Sequence, residues 1–179
     1  EAERLNRFVA NLLNMTKLES GALRFEGVPF GMAEVVGRVV QRVQRRAGAR
    51  ELVVSMLPDD LAAQGDPILT EQALANVVEN AVRFAPNGGR IEISGRSEAG
   101  RIVLEITDEG PGVPEADLEK IFEKFYRSPA TSTNQQGTGL GLSITRGLVE
   151  AMGGEVFARA RGDGRPGLAV SVILPGAAA

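Results

Sequence analysis

Asp108-Glu109-Gly110-Pro111-Gly112 and, about 25 residues further on, Gly137-Thr138-Gly139-Leu140-Gly141 are the stretches on which the reading of this chain turns. Both are preceded by Asn76-Val77-Val78-Glu79-Asn80. Glycines let the main chain approach a ligand closely, and successive backbone N–H groups hold phosphates. A carboxylate beside one such turn accepts a hydrogen bond from an amino group on a base. Two amides one helical turn apart present carbonyl oxygens to a hard cation. The combination points to a nucleotide with Mg²⁺, held by loops. No G-x-x-x-x-G-K-[ST] occurs, so the phosphate site is not a Walker P-loop.

Working outward, Asp66-Pro67 supplies an N-cap and a first-turn proline for a helix over about 67–84. On it Leu74, Val77, Val78 and Ala81 form a core stripe, while Asn76, Asn80 and Arg83 share another face. Asparagine competes for the helix backbone, so two on one face cost stability and suggest a use, although a plain polar face would look similar. Val103, Leu104 and Ile106 lead into Asp108 at a strand end, where Gly110, Pro111, Gly112 and Pro114 force a turn. The second glycine segment opens a helix at about Leu140, and free N–H groups with the positive dipole end favour phosphate there. It is not a dinucleotide fingerprint, because polar Ser128 to Gln136 precede it in place of a strand. Residues 128–138 read as a mobile lid. Just ahead, Ile121 to Arg127 holds three of the few aromatics; Phe122 and Phe125 anchor the lid base or a small satellite core, and Lys124 or Arg127 reaches a phosphate.

The remaining elements follow from periodicity. Residues 1–20 carry an amphipathic stripe of Leu5, Phe8, Val9, Leu12, Leu13, Met15 and Leu18, ended by Gly21. It either docks on its own domain or pairs with helices of another copy. An extended connector over 22–30 leads to a helix from about Ala33 to Ala47, whose end carries Arg42, Arg45, Arg46 and Arg50, read as a solvated face with dipole compensation. Strands are expected at 51–57, 90–97, 101–107, 155–161 and 168–174, the middle two as a hairpin through Glu98-Ala99-Gly100. The last helix stops at Gly153-Gly154. The fold class is therefore α+β: a mixed sheet with helices on one face, preceded by an N-terminal helix.

Composition narrows the chemistry. Of the 179 residues 43% are apolar but only 4% aromatic, so the core is built from Val, Leu, Ile and Ala. A net charge of −3 gives no reason to expect nucleic acid. With no Cys and no His, disulfides, thiolate or imidazole metal sites, a Ser-His-Asp triad and a phosphohistidine on this chain are all excluded. The chain begins mid-pattern at Glu1-Ala2-Glu3-Arg4, as a piece of something larger would, with no apolar run able to span a membrane.

Residues 33–175 resemble the ATP-binding catalytic domain of sensor histidine kinases, a two-layer Bergerat fold. Asn76 to Phe84 resembles its N box, Asp108 to Gly112 its first glycine box, Phe122 to Arg127 its F box and Gly137 to Leu142 its second glycine box. Residues 1–24 resemble the second helix of the dimerisation and phosphotransfer module, which implies a linker at 25–32 and a catalytic domain at 33–176. Leu12 to Gly21 and the N box are worded most like Kdp-type potassium sensor kinases. The resemblance implies that Asp108 receives the adenine amino group, with Phe84 near the base and Gly110 and Gly112 shaping the turn. It implies that Asn80, with Asn76, holds Mg²⁺, and that Arg83 and Lys124 or Arg127 neutralise phosphate. It further implies that Phe122 and Phe125 support the lid, and that Gly137, Thr138, Gly139, Leu140, Gly141 and Leu142 let it wrap the triphosphate. The implied partners are a His-bearing helix of the full-length homodimer and a response regulator, in the cytoplasm beneath a parent anchored in the inner membrane. Two departures stand out. The phosphoacceptor His is absent, and Gly167-Leu168-Ala169-Val170 lacks the hydroxyl the family carries near the adenine. An ATPase, a serine-directed kinase of the same fold and a non-catalytic nucleotide-binding or dimerisation module remain the competing readings.

Overall fold

The computed structural model describes residues 27–129 and 138–177, together with Val9, Leu13, Thr16 and Ser20. The expectations for the rest of 1–26, which include the start of the connector and linker, for 130–137 including Gly137, and for the final two residues lie outside the described residues. Val9, Leu13 and Thr16 are helical, and the Ser20 N–H donates to the Thr16 carbonyl at 3.0 Å. Val9 and Leu13, both on the expected stripe, are exposed.

The described chain runs β1 (Val28–Gly31), α1 (Met32–Ala47), β2 (Glu51–Val54), β3 (Ala62–Gly65), α2 (Pro67–Phe84), β4 (Arg90–Glu98), β5 (Arg101–Asp108), α3 (Gly141–Ala151), β6 (Glu155–Ala160) and β7 (Leu168–Pro175). Two short 3₁₀ turns, Glu115–Asp117 and Lys120–Phe122, punctuate the loop between β5 and α3. Five strands form one mixed sheet in the order β2-β4-β5-β7-β6, with β2 parallel to β4 and the other pairs antiparallel. A second, two-stranded sheet pairs β1 with β3. The connector expected over 22–30 is thus a paired strand from Val28 onward.

Alternation along the strands decides which way each side chain faces. Ile91 and Ile93 on β4, Ile102, Leu104 and Ile106 on β5, and Leu168, Val170, Val172 and Leu174 on β7 enter one core with the helices. The β4–β5 hairpin turns on Ala99 and Gly100, both with positive φ (50° and 76°), the twist that two-residue hairpins favour. Met32, Val35, Val36, Val39, Val43 and Ala47 are the buried stripe of α1. Asp66 caps α2 as expected, accepting from the Ile68 and Leu69 N–H groups at 2.8 and 3.0 Å. The buried Thr145 hydroxyl of α3 lies 3.2 Å from the Ala73 carbonyl of α2 and 3.1 Å from that of Gly141, tying the two helices together.

Three features differ from the sequence reading. Strand β2 stops at Val54, yet its contacts continue: Ser55 N–H donates to Ile93 O and Gly95 N–H to Met56 O. Strand β3, Ala-Ala-Gln-Gly, carries no β-branched residue and so gave no strand signal. The arginines at the end of α1 do more than face water. Arg46 sits 2.9 Å and Arg42 4.0 Å from Glu79 on α2. Arg50 donates to the Ala47 and Ala85 carbonyls, closing the C-terminal ends of α1 and α2 with one guanidinium.

Gly154 shows how tightly α3 meets the sheet. A Cβ there would collide with the Ile173 carbonyl oxygen and stand 2.8 Å from the Val149 side chain. Gly154→Ala is expected to cost roughly 3 kcal/mol through forced displacement of β7. A urea midpoint equal to that of the wild type would contradict this packing.

Candidate functional site

Helix α2 brings the motif residues together. Its buried stripe of Leu74, Val77, Val78 and Ala81 faces the sheet, which leaves Asn76, Asn80, Arg83 and Phe84 part-exposed along the helix. At one end, the Asn76 Nδ2 donates to the Gly141 carbonyl at 3.3 Å. The carbonyl partner fixes which way this amide points, so its Oδ1 is left to accept or to ligate. At the other end, the Phe84 carbonyl lies against Gly110: a Cβ on Gly110 would stand 3.0 Å from it and 2.7 Å from Asp108 Oδ1. Only glycine fits there. One helix therefore touches both glycine segments.

The first turn is organised by Asp108. Strand alternation places it on the same face as Ile102, Leu104 and Ile106, so a carboxylate occupies an inward, core-like position. It is 5% exposed and accepts from the Gly110 N–H at 2.7 Å. Burial pushes its pKa from the ordinary 3.8 up to about 6, opposed by the Gly110 and Leu168 N–H groups and by the Arg161 charge. The neighbouring Glu109 is held below the usual carboxylate range, first by the Arg90 backbone N–H and then by Arg161. Beyond the turn Gly112, at φ +76°, packs on Gly167.

The second segment is held backbone to backbone. Gly139 has φ +69° and Phe125 has φ +63°, a rare conformation for an aromatic residue. The Phe125 N–H donates to the Gly139 carbonyl at 2.9 Å, and a Cβ on Gly139 would stand 2.7 Å from the Phe125 carbonyl carbon. Phe125 itself is 63% exposed. Ser128, buried, donates to Asp117 at 2.6 Å and fixes the chain just before residue 130. Helix α3 then starts at Gly141 with Leu140 as N-cap and no side-chain cap, which leaves its first-turn N–H groups directed at any anion placed there.

The structure brings Asn76 to Gly141, Phe84 and Asp108 each to Gly110, and Phe125 to Gly139. Phe122, Leu140 and Leu142 are buried members of the core, so they support the loop from beneath. Arg146 of α3 lies over the Phe122 ring at 4.4 Å and pairs with Glu119 at 2.7 Å. Lys124, Arg127 and Thr138 are exposed, and Arg83 is part-buried. The sequence reading missed Arg161 and the Leu168 N–H. Arg161 lies far along the chain in a loop without a recognisable motif, and a backbone donor leaves no mark on sequence.

A group whose folded pKa is raised stabilises the fold fully below its unfolded value, and that contribution is lost as pH rises through the folded value. For Asp108 the window runs from about 4 to about 6, the move from 3.8 to about 6 corresponding to roughly 3 kcal/mol. Asp108→Asn removes the ionisation while its Oδ1 keeps the Gly110 N–H. Its stability relative to the wild type is expected to rise by roughly 2 kcal/mol between about pH 4 and about pH 7.5. Denaturant titrations showing a pH-independent difference would contradict the burial of an ionised carboxylate.

Comparison with known proteins agrees with this geometry. The family described as histidine kinase-, DNA gyrase B- and HSP90-like ATPases matches residues 65–177. The sensor protein KdpD of Clostridium acetobutylicum is 36% identical over 165 residues, covering 92% of this chain; the chain spans 18% of that relative's own length. The solved mycobacterial sensor histidine kinase MprB superposes with a TM-score of 0.73 at 33% identity, covering 84% of this chain and 97% of that one. Full-length ShkA, solved in complex with AMPPNP, superposes with a TM-score of 0.83 at 26% identity, over 98% of this chain and 36% of that one. The chain belongs to the histidine kinase-, gyrase B- and HSP90-like ATPase family, as the catalytic ATP-binding domain of a two-component sensor histidine kinase.

Proposed function

We propose that this domain binds ATP between α2, the 108–112 turn and the start of α3, and transfers the γ-phosphoryl group to a histidine on a helix outside this sequence. The observation that carries the reading is the double reach of α2, through Asn76 to Gly141 and through Phe84 to Gly110. Asp108 accepts from the adenine amino group, and Phe84 packs beside the base. Arg83, Lys124 and Arg127 neutralise phosphate charge, and the first-turn N–H groups of α3 bind the terminal phosphates. The protein's part is positioning and charge neutralisation. In the transfer the bond from the γ-phosphorus to the ADP oxygen breaks and a bond to an imidazole nitrogen forms, with the imidazole proton released.

The residues present suit Mg²⁺. Asn76 has an uncommitted amide oxygen, Asn80 follows one turn later, and hard oxygen donors are what this ion takes. Among the described residues no cluster of three or more His, Cys, Asp or Glu side chains competes as a metal site. Asn80 and Asn76 would hold the ion, which would supply charge neutralisation between the phosphates.

Transfer is favoured over hydrolysis by two observations. A water-activating base would stand one turn before Asn80, where the side chain is Asn76, an amide unable to take a proton. The nearest acid in sequence, Glu79, is engaged by Arg46 and Arg42 of α1. The full-length protein is proposed to be a homodimer that passes its phosphoryl group to a response regulator. No helix among the described residues is long and apolar enough to cross a membrane, and we place the domain on the cytoplasmic side. The Kdp-like wording of Leu12 to Gly21 and the N box supports a Kdp-type parent, though the MprB likeness is nearly as strong.

Mixing this chain with the His-bearing helix module of its parent and γ-labelled ATP is expected to label the module. Binding without labelling would contradict the kinase reading. Asn76→Glu is expected to raise ATP hydrolysis at least ~10-fold by supplying the missing base; unchanged turnover would contradict the positional argument.

A further inference from the structure

Arg161 opens the β6–β7 loop, where an arginine ordinarily extends into water. Only 13% of this side chain is exposed. Its aliphatic stem crosses Gly167, where a Cβ would collide with both Arg161 Cδ and the Asp108 carbonyl oxygen. Gly167 in turn abuts the first glycine turn: a Cβ on Gly112 would stand 3.1 Å from the Gly167 carbonyl oxygen. The guanidinium is gripped within its own loop by Asp163, at 2.6 Å through Nη2 and 3.2 Å through Nε. On the other side Nη1 lies 3.5 Å from Glu109 Oε1. Glu109 is anchored through its other oxygen to the Arg90 N–H at 3.0 Å. One cation thus links the β6–β7 loop, the 108–112 turn and the start of β4.

We infer that Arg161 is a positioning residue of the base site: by bridging Asp163 and Glu109 it fixes the turn that carries Asp108 and the strand end that presents the Leu168 N–H. The inference rests on the nucleotide reading of this pocket and adds a residue to it. Gly167-Leu168-Ala169-Val170 offers no hydroxyl beside the base, so backbone and Arg161 shape that wall. After the Gly110 and Leu168 N–H groups, the Arg161 charge also opposes the upward push of burial on Asp108. Among the charged groups on the packed elements, Glu109 is on the turn, Asp163 and Arg165 are in the loop, Arg90 begins β4 and Arg83 is at the end of α2; Glu92, Arg101 and Glu105 lie further along β4 and β5, and Glu79 on α2 pairs with Arg46. Glu109 and Asp163 both face Arg161 and Arg165, so their negative charge is offset before it reaches Asp108.

The test uses the whole chain in wild-type, Arg161→Met and Arg161→Lys forms, with two readouts. One is the titration of the Asp108 carboxyl carbon by NMR in the absence of nucleotide. The other is ATP affinity by calorimetry at about pH 7.5. Arg161→Met keeps the stem and removes the charge. It is expected to raise the Asp108 midpoint by about half to one pH unit and to weaken ATP roughly 5- to 10-fold. Arg161→Lys is expected to restore most of the midpoint and, lacking the planar fork, only part of the affinity. A wild-type midpoint in Arg161→Met overturns the inference, whether affinity holds or falls, because Arg161 is then packing alone. If Arg161→Met fails to fold, Arg161→Lys and Glu109→Gln carry the same readouts, and no weakening of ATP in both overturns it. A wild type that fails to bind ATP overturns the nucleotide reading instead, and the titration, which needs no nucleotide, still judges Arg161.

Discussion

Everything at this site is measured against one rigid ruler, helix α2. From Asn76 to Phe84 the helix advances about 12 Å, and its two ends are tied to the two glycine segments by a side-chain hydrogen bond and by a backbone contact that tolerates no Cβ. The helix is fixed in turn by its buried stripe, by the Asp66 cap and by the hydrogen bond from Thr145 to Ala73. The spacing between the 108–112 turn and the start of α3 is therefore a property of the core, and the proposed nucleotide would span it. Loops supply the contacts, and α2 supplies the distance.

Asp108 shows what the site costs the fold. Its position in β5 belongs to an apolar side chain, since residues 102, 104 and 106 on the same face are Ile, Leu and Ile. A carboxylate there is partly compensated by two backbone N–H groups and by Arg161, and it still titrates near 6. A preformed acceptor, already stripped of water and aimed by Gly110, is well suited to recognise one amino group on a base. The same desolvation makes the free domain less stable at neutral pH than an amide at this position would. Exposed Phe125, held at positive φ against Gly139, is a second local departure from comfort, beside the second glycine segment.

Much of this was legible in the sequence, and for physical reasons. The Asp66-Pro67 cap, the 3.6-residue stripe of α2 and the alternation of β4, β5 and β7 are strong local signals that the tertiary structure obeys. Asn76 and Asn80 drew notice because asparagine competes for the helix backbone, and Asp108 because it ends an apolar strand beside a glycine turn. What stayed hidden was non-local. Strand β3 has no intrinsic strand preference and exists through its pairing with β1. The Arg42 and Arg46 contacts with Glu79 join elements more than 30 residues apart, and a cluster of arginines looks the same whether it meets water or a carboxylate. Leu140 and Leu142 sit inside a glycine motif and read as ligand contacts, yet their burial makes them struts of the core.

The claim that one pocket unites these groups is tested most directly by mapping backbone amide shifts of the isotopically labelled chain as ATP and Mg²⁺ are added. The account expects residues 108–112, 138–143 and the exposed face of 76–84 to shift together, with one shared binding curve. Shifts confined to a single glycine segment, or separate curves for the two, would contradict it.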